Sequence, residues 1–383
     1  MFQFATATQI VFGAGALAEL PRLVRGLGTR AFLVLGDTER YRTLAEQLLG
    51  SAGVSMSVGR VRGEPTVEAA LELVVAARAV GSEFVVGLGG GSVIDAAKAL
   101  GALLANRGDP LEFLEVIGKG RPLENASLPV IAIPTTAGTG AEVTKNAVLA
   151  SAAHGVKVSL RSDSMLPRVA LVDPELTLSL PRALTAATGL DALTQVLEPF
   201  VSSKANPITD ALSQKGLELG ATALRRGYHQ GSDLEARSDL ALMSLLGGLS
   251  LANAKLGAVH GFAGPIGGMF PAPHGAICAR LLPLVATRNI AALRARAPGH
   301  PALGRYRQAA RILSANPNAE AEALSPWLEQ LVEELEVPRL GAYGVSLPSV
   351  PAIVAKARAA SSMQGNPVVL TVAELTETLE AAL

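Results

Sequence analysis

The chain has 383 residues, of which 49% are hydrophobic and 17% charged, enough for a large buried core and incompatible with global disorder. Lysine plus arginine number 33 and so do aspartate plus glutamate, so the net charge is zero and no basic stripe marks a nucleic-acid binder. The lone cysteine, Cys278, excludes an internal disulfide framework and fits a reducing compartment.

The start, Met1-Phe-Gln-Phe, lacks a basic region followed by an apolar run, and no uninterrupted apolar run approaches the about 18 residues of a membrane span. A cytoplasmic protein that binds neither membrane nor nucleic acid is expected. The length fits one very large domain or two ordinary ones.

The first part alternates strand and helix signals. Ala31-Phe-Leu-Val-Leu-Gly36 is a β-type apolar run, and Thr38 is placed to cap a helix over 39–49. A weaker strand follows over 54–61. Thr66 is the N-cap of a helix running to Val80. Glu83-Phe-Val-Val-Gly-Leu88 is a strand, followed by Gly89-Gly-Gly-Ser92 and a helix over 93–105. Leu128-Pro-Val-Ile-Ala-Ile133 is another strand, and Ala170-Leu-Val-Asp173 is the last of this half. Continuous apolar strands alternating with helices predict a parallel sheet covered on both faces. After Pro181 the pattern turns helical, over 183–201, 208–224, 234–251, 301–315 and 321–335. The expected division is an α/β domain over 1–180 and an all-helical domain over 181–383.

Two loops at strand ends carry ligand-binding signals. Gly89-Gly-Gly-Ser-Val-Ile-Asp-Ala-Ala-Lys98 joins a strand to a helix, where glycines let the backbone approach an anion and the helix N-terminus offers free N–H groups. It matches neither G-x-G-x-x-G nor a P-loop, and a tight strand–helix turn is the plain alternative. Pro134-Thr-Thr-Ala-Gly-Thr-Gly-Ala-Glu142 follows the next strand. Two such loops in one sheet favour a ligand crevice there. Asp37 sits where an acid can accept from ribose hydroxyls and repel a 2′-phosphate, or equally cap a helix.

Two of the five histidines, His260 and His274, share one Gly/Pro-punctuated apolar segment. Imidazole is the commonest ligand for a transition metal, and Asp191 could complete a mixed N/O site for Zn²⁺ or Fe²⁺. Packing or helix-end roles are the alternative. Leu190, Leu193, Phe262, Ile266, Met269 and Phe270, near these residues in sequence, either form an apolar pocket or pack helices.

Taken together and in order, Thr8-Gln-Ile-Val-Phe-Gly-Ala-Gly15, the triple-glycine loop, Ile133-Pro-Thr-Thr-Ala-Gly-Thr-Gly-Ala-Glu-Val143, Ala187-Thr-Gly-Leu-Asp-Ala-Leu-Thr194, Val259-His-Gly261 and Pro273-His-Gly275 resemble the iron-containing (group III) alcohol dehydrogenase family. The resemblance implies a Rossmann-like parallel-sheet domain binding a dinucleotide, then a helical metal and substrate domain, as in dehydroquinate synthase. It implies an NAD(P)-dependent oxidoreductase that interconverts an alcohol and an aldehyde or ketone, and an assembly that is a homodimer or larger.

By that resemblance Gly90, Gly91, Ser92 and Asp95 match the pyrophosphate loop, and Thr135, Thr136 and Thr139 the second cofactor loop. Lys157 matches a cofactor-contacting lysine, and Asp37 a position favouring NAD over NADP. Asp191, His260 and His274 match three of four metal ligands. The fourth position, normally histidine, is Gln195, a neutral and weaker donor one helical turn from Asp191. A further histidine that relatives carry four residues after the first metal-binding one is replaced by Gly264.

A bound metal, Fe²⁺ or Zn²⁺, would polarise the substrate oxygen; without it, His260 or His274 would donate the proton directly. Three other readings carry the same fold. They are a metal-independent reductase resembling maleylacetate reductase, a non-redox lyase resembling dehydroquinate synthase, and a cofactor-binding protein without catalysis. The lyase needs basic residues for an acidic substrate, and 189–203 and 256–276 contain no lysine or arginine.

Overall fold

The computed structural model describes every residue except Thr38, Val116, Ala152 and Gly155, so the Thr38 cap lies outside the described residues. The chain groups into two compact units. One comprises Ala5–Thr136 and Ala141–Thr177, the other Met1–Phe4, Ala137–Gly140 and Leu178–Leu383.

The first unit is α/β. Its strands are β1 (Gln9–Phe12), β2 (Arg30–Leu35), β3 (Ser55–Arg60), β4 (Phe84–Gly89), β5 (Val130–Pro134), β6 (Asn146–Ser151), β7 (Val156–Arg161) and β8 (Val169–Val172). Six of them form one sheet in the order β1-β8-β5-β4-β2-β3, every pair parallel. Helices α1 (Leu20–Leu23), α2 (Arg42–Ser51), α3 (Val67–Ala79) and α4 (Gly91–Ala105) cover it.

The period of two explains why these apolar runs are strands buried on both faces. Phe32, Val34 and Val85 join Leu73, Val74, Ala97 and Leu100 of α3 and α4 in one core. Leu33, Leu35, Val86 and Leu88 join Leu20, Leu23, Ala45 and Leu49 in the other. The chain passes outward from β2 to β3 and returns to the other side of β2 as β4. The crevice beyond the carboxyl ends of β2 and β4 is therefore the topological switch point of the sheet.

Thr66 caps α3, its Oγ1 accepting from the Ala69 N–H at 3.0 Å. Helix α4 begins two residues earlier than its apolar pattern indicated. The Gly90 carbonyl already accepts from the Ile94 N–H at 3.1 Å, so Gly91 and Ser92 belong to the first turn. The β6–β7 hairpin was not foreseen. Its signal was the alternation Val156-Lys-Val-Ser-Leu160, which sets Val158 and Leu160 inward beside Ala147 and Leu149.

The second unit has no strand among its described residues. Its helices are α5 (Arg182–Val201), α6 (Pro207–His229), α7 (Leu234–Ala254), α8 (Ala258–Met269), α9 (His274–Arg296), α10 (Pro301–Ser314), α11 (Leu324–Glu334), α12 (Val350–Ala359) and α13 (Val372–Ala381). Helix α6 opens on a capping box of Asn206 and Thr209 with Pro207 at its first position. The sequence reading missed α8, α9, α12 and α13.

In α8 and α9 the glycines and the internal Pro265 and Pro283 lower helix propensity, but burial of Val259, Phe262, Ile277, Leu281 and Leu282 overrides it. Leu190, Leu193, Phe262 and Ile266 are fully buried, so these four pack helices and do not line an open pocket. Helix α9 is long and apolar enough to span a membrane by composition, yet 72% of that window is buried inside the protein.

Candidate active site

Two packed helices of the second unit present two pairs of polar side chains, each pair one turn apart. Asp191 and Gln195 lie on α5, His274 and Cys278 on α9. His260 comes from the first turn of α8. Gly275 allows the first turn of α9 to press on α5. A Cβ there would lie 2.3 Å from the Ala187 carbonyl oxygen, which no side chain could tolerate.

The result is a tight cluster. Asp191 Oδ1 lies 3.4 Å from His260 Nε2 and 3.9 Å from His274 Nε2. Cys278 Sγ lies 3.8 Å from His260 Nε2 and 3.7 Å from His274 Nε2. One donor atom from each of these four residues falls within 4.8 Å of every other. Asp191, Gln195, His260 and Cys278 are buried, whereas the His274 side chain is 35% exposed and is the part of the cluster that solvent reaches.

A fifth residue fixes the ring of His260. Glu198 lies two turns along α5 from Asp191 and is itself buried. Its Oε2 accepts from His260 Nδ1 at 2.7 Å and its Oε1 from the Val259 N–H at 2.7 Å. A carboxylate can only accept, so Nδ1 carries a hydrogen and Nε2 is the ring atom that faces Asp191 and Cys278.

Burial alone would lower both histidines. Attraction to Cys278 and Asp191, with Glu198 adding to it at His260, overcomes this and draws both imidazoles upward, His260 well above the ordinary histidine range. Burial would likewise raise Asp191, but His274 and His260 hold its carboxyl below its usual value. A donor set of one carboxylate, two imidazoles and one sulfur suits a divalent transition metal. Asp191 Oδ1 and Gln195 Oε1 are also buried with no hydrogen-bond partner. Orphaned acceptors in a buried polar cluster are what a cation would satisfy.

Sequence reasoning passed over Glu198 and Cys278. The signals available were the seven-residue step from Asp191 to Glu198 and the four-residue step from His274 to Cys278.

In the α/β unit, Gly90 precedes α4 in an extended conformation and Gly91 and Ser92 form its first turn. The first amides of a helix have no intrahelical acceptor, so they face outward with the positive end of the helix dipole. Gly89 is sterically required: a Cβ would lie 2.6 Å from Val93 Cγ2. The Thr135 N–H donates to the Gly89 carbonyl at 2.9 Å, which ties the second loop to the glycine turn, and Thr136 lies against Gly90. Thr139 is half-buried and belongs to the other compact unit.

Asp37 follows β2 at the same sheet edge, highly exposed, with Arg62 Nε 3.7 Å from its carboxylate. Asp95 faces the hairpin. It accepts from the Val148 N–H at 3.0 Å and pairs with the fully buried Lys98 at 2.9 Å. Lys157 on β7 pairs with Glu64 at 3.3 Å.

Parallel sheet, helical unit and buried Asp/His/His/Cys cluster together describe a dinucleotide-dependent oxidoreductase architecture. Comparison with known proteins gives the family. The description "Iron-containing alcohol dehydrogenase" matches residues 7–174, and "Fe-containing alcohol dehydrogenase family, C-terminal" matches residues 185–383. Long-chain-alcohol dehydrogenase 1 of Geobacillus thermodenitrificans is 41% identical over 71% of this chain and 70% of that one. NAD-dependent methanol dehydrogenase of Bacillus methanolicus is 30% identical over 100% of both chains. A solved 1,3-propanediol oxidoreductase superposes with a TM-score of 0.92 at 30% identity, covering 100% of both. The chain belongs to the iron-containing alcohol dehydrogenase family. It is an oxidoreductase that interconverts alcohol and carbonyl compounds.

Proposed function

We propose that this chain oxidises a small alcohol, or reduces the corresponding aldehyde or ketone, with NAD as hydride carrier and a divalent metal held in the helical unit. The observation that carries the reading is the cluster of Asp191, His260 and His274, with His260 Nε2 aimed into it by the Glu198 contact to Nδ1. Asp191, His260 and His274 would hold the metal, with the Gln195 amide oxygen beside them. The metal supplies Lewis acidity toward the substrate oxygen.

The protein's own groups do the rest. Main-chain amides of Gly90, Gly91 and Ser92 bind the cofactor pyrophosphate at the α4 N-terminus, and Thr135, Thr136 and Thr139 offer further hydrogen bonds to the nucleotide. Lys157 would offer it a cation, while Asp95, bound to the Val148 N–H and Lys98, ties α4 to the β6–β7 hairpin. Asp37, exposed at the switch point, accepts from the ribose hydroxyls and disfavours a 2′-phosphate. His260 and His274 would both hold the metal through Nε2; in a metal-free site the solvent-reachable His274 would instead carry the reaction proton at that atom. The functional division follows as a cofactor domain over 1–180 and a catalytic domain over 181–383. The single buried cysteine fits a reducing, cytoplasmic setting.

The test pairs metal analysis with turnover. Chelation should abolish NADH formation across a small alcohol panel, and added Zn²⁺ or Fe²⁺ should restore it. Full turnover in protein that elemental analysis finds metal-free rejects the metal-assisted reading.

A further inference from the structure

We infer that Cys278 is a metal ligand in this chain, its thiolate standing in for the imidazole that Gln195 lacks and making the site selective for Zn²⁺ over Fe²⁺. The inference rests on the metal site just proposed and specifies its donor set.

Geometry is the first argument. A tetrahedral cation with bonds of about 2.0 Å to N or O and about 2.3 Å to S holds its donors about 3.3–3.6 Å apart. The observed separations are 3.4 and 3.9 Å from Asp191 to the two imidazoles, and 3.8 and 3.7 Å from Cys278 to the same two. Cys278 is therefore placed no worse than Asp191.

The second argument is that the polar groups of the cluster are incompletely matched without a cation. Asp191 Oδ1 and Gln195 Oε1 are buried with no hydrogen-bond partner. A thiol is a weak donor with one hydrogen, whereas Sγ lies 3.8 and 3.7 Å from two ring nitrogens, so a neutral thiol can donate to only one of them at a time. Chemistry decides between Gln195 and Cys278. An amide oxygen is neutral and hard. A thiolate is anionic and soft, and replacing an imidazole by a thiolate turns an oxygen- and nitrogen-based set toward zinc. On binding, the Cys278 S–H loses its proton to solvent and the sulfur lone pair forms the bond to the metal.

Because Cys278 is the only cysteine in the chain, a thiolate–metal signal has a single origin. The full-length protein would be loaded with Zn²⁺ for X-ray absorption, and with Co²⁺ for optical spectroscopy. Wild type should show one sulfur scatterer at about 2.3 Å and a sulfur-to-cobalt charge-transfer band. Cys278→Ser should lose both and bind Zn²⁺ at least tenfold more weakly, while Gln195→Ala keeps both.

A metal bound at one per chain, lost in Asp191→Asn, but with only nitrogen and oxygen neighbours in wild type, overturns the inference and leaves the metal site standing. No stoichiometric metal in wild type overturns both. The scattering measurement on wild type needs no variant to fold.

Discussion

Replacing Glu198 by glutamine tests how the site is built. The carboxylate accepts two hydrogen bonds at 2.7 Å, from the Val259 N–H and from His260 Nδ1. Glutamine has the same shape but one acceptor oxygen. That oxygen goes to the fixed backbone N–H, leaving the amide NH₂ against Nδ1. The imidazole meets a donor only by changing tautomer, so Nδ1 accepts and Nε2 takes the hydrogen. Nε2 is the atom 3.4 Å from Asp191 and 3.8 Å from Cys278, and once protonated it has no lone pair for a metal.

Loss of such a supporting carboxylate weakens metal binding by about 10–100-fold, or about 1.4–2.7 kcal/mol. Zinc affinity measured by competition with a chromophoric chelator should fall by that factor. The melting temperature of the metal-free protein should move little, since each buried group keeps a partner. Glu198→Ala should lower both, because two buried donors are then orphaned at about 1–3 kcal/mol each. A glutamine variant that binds zinc within twofold of wild type would refute the tautomer argument.

Three further outcomes are expected. Glu142 is buried, and burial pushes its carboxyl up to about 7 against the opposing pull of Lys98. Between its ordinary value of 4.5 and about 7 the folded state keeps a proton that the unfolded chain has lost. The resulting stability is full below pH 4.5 and lost as pH rises through about 7. Glu142→Gln should therefore gain on wild type by on the order of 2–3 kcal/mol between pH 5 and pH 8, read as the difference in denaturant midpoints; a gap independent of pH disproves a protonated Glu142. Asp37→Ser should lower the KM for NADP⁺ at least tenfold by removing the charge and releasing Arg62 toward a 2′-phosphate; unchanged NAD⁺/NADP⁺ preference takes Asp37 out of cofactor selection. His274→Ala should reduce kcat by about 100-fold or more, as a lost metal ligand or a lost proton donor, and wild-type kcat in that variant removes His274 from the site.

The amino-acid order alone carried the architecture. Val85 and Val86, like Leu33 and Val34, face opposite sides of the sheet, so an unbroken apolar run can only be a strand covered twice. Gly89 to Ser92 sit between such a run and a helix, and local chemistry is enough to place a turn and an amide-lined helix end there. Asp191, His260 and His274 were also visible as candidates, because imidazole is the commonest ligand for a transition metal and the chain has only five histidines.

Tertiary packing decided the rest. Pro265 and Pro283 hid two helices whose stability comes from burial, which local propensity cannot express. Asp95 belongs to the glycine motif, yet its carboxylate binds the hairpin backbone, a contact between residues 53 apart that no spacing rule reveals. Cys278 stood out in the sequence only as the lone cysteine, and nothing local to Glu198 singled it out. Their significance depends on which way α5, α8 and α9 face one another, and three helices meeting within a few ångströms is set by the packing of the whole core.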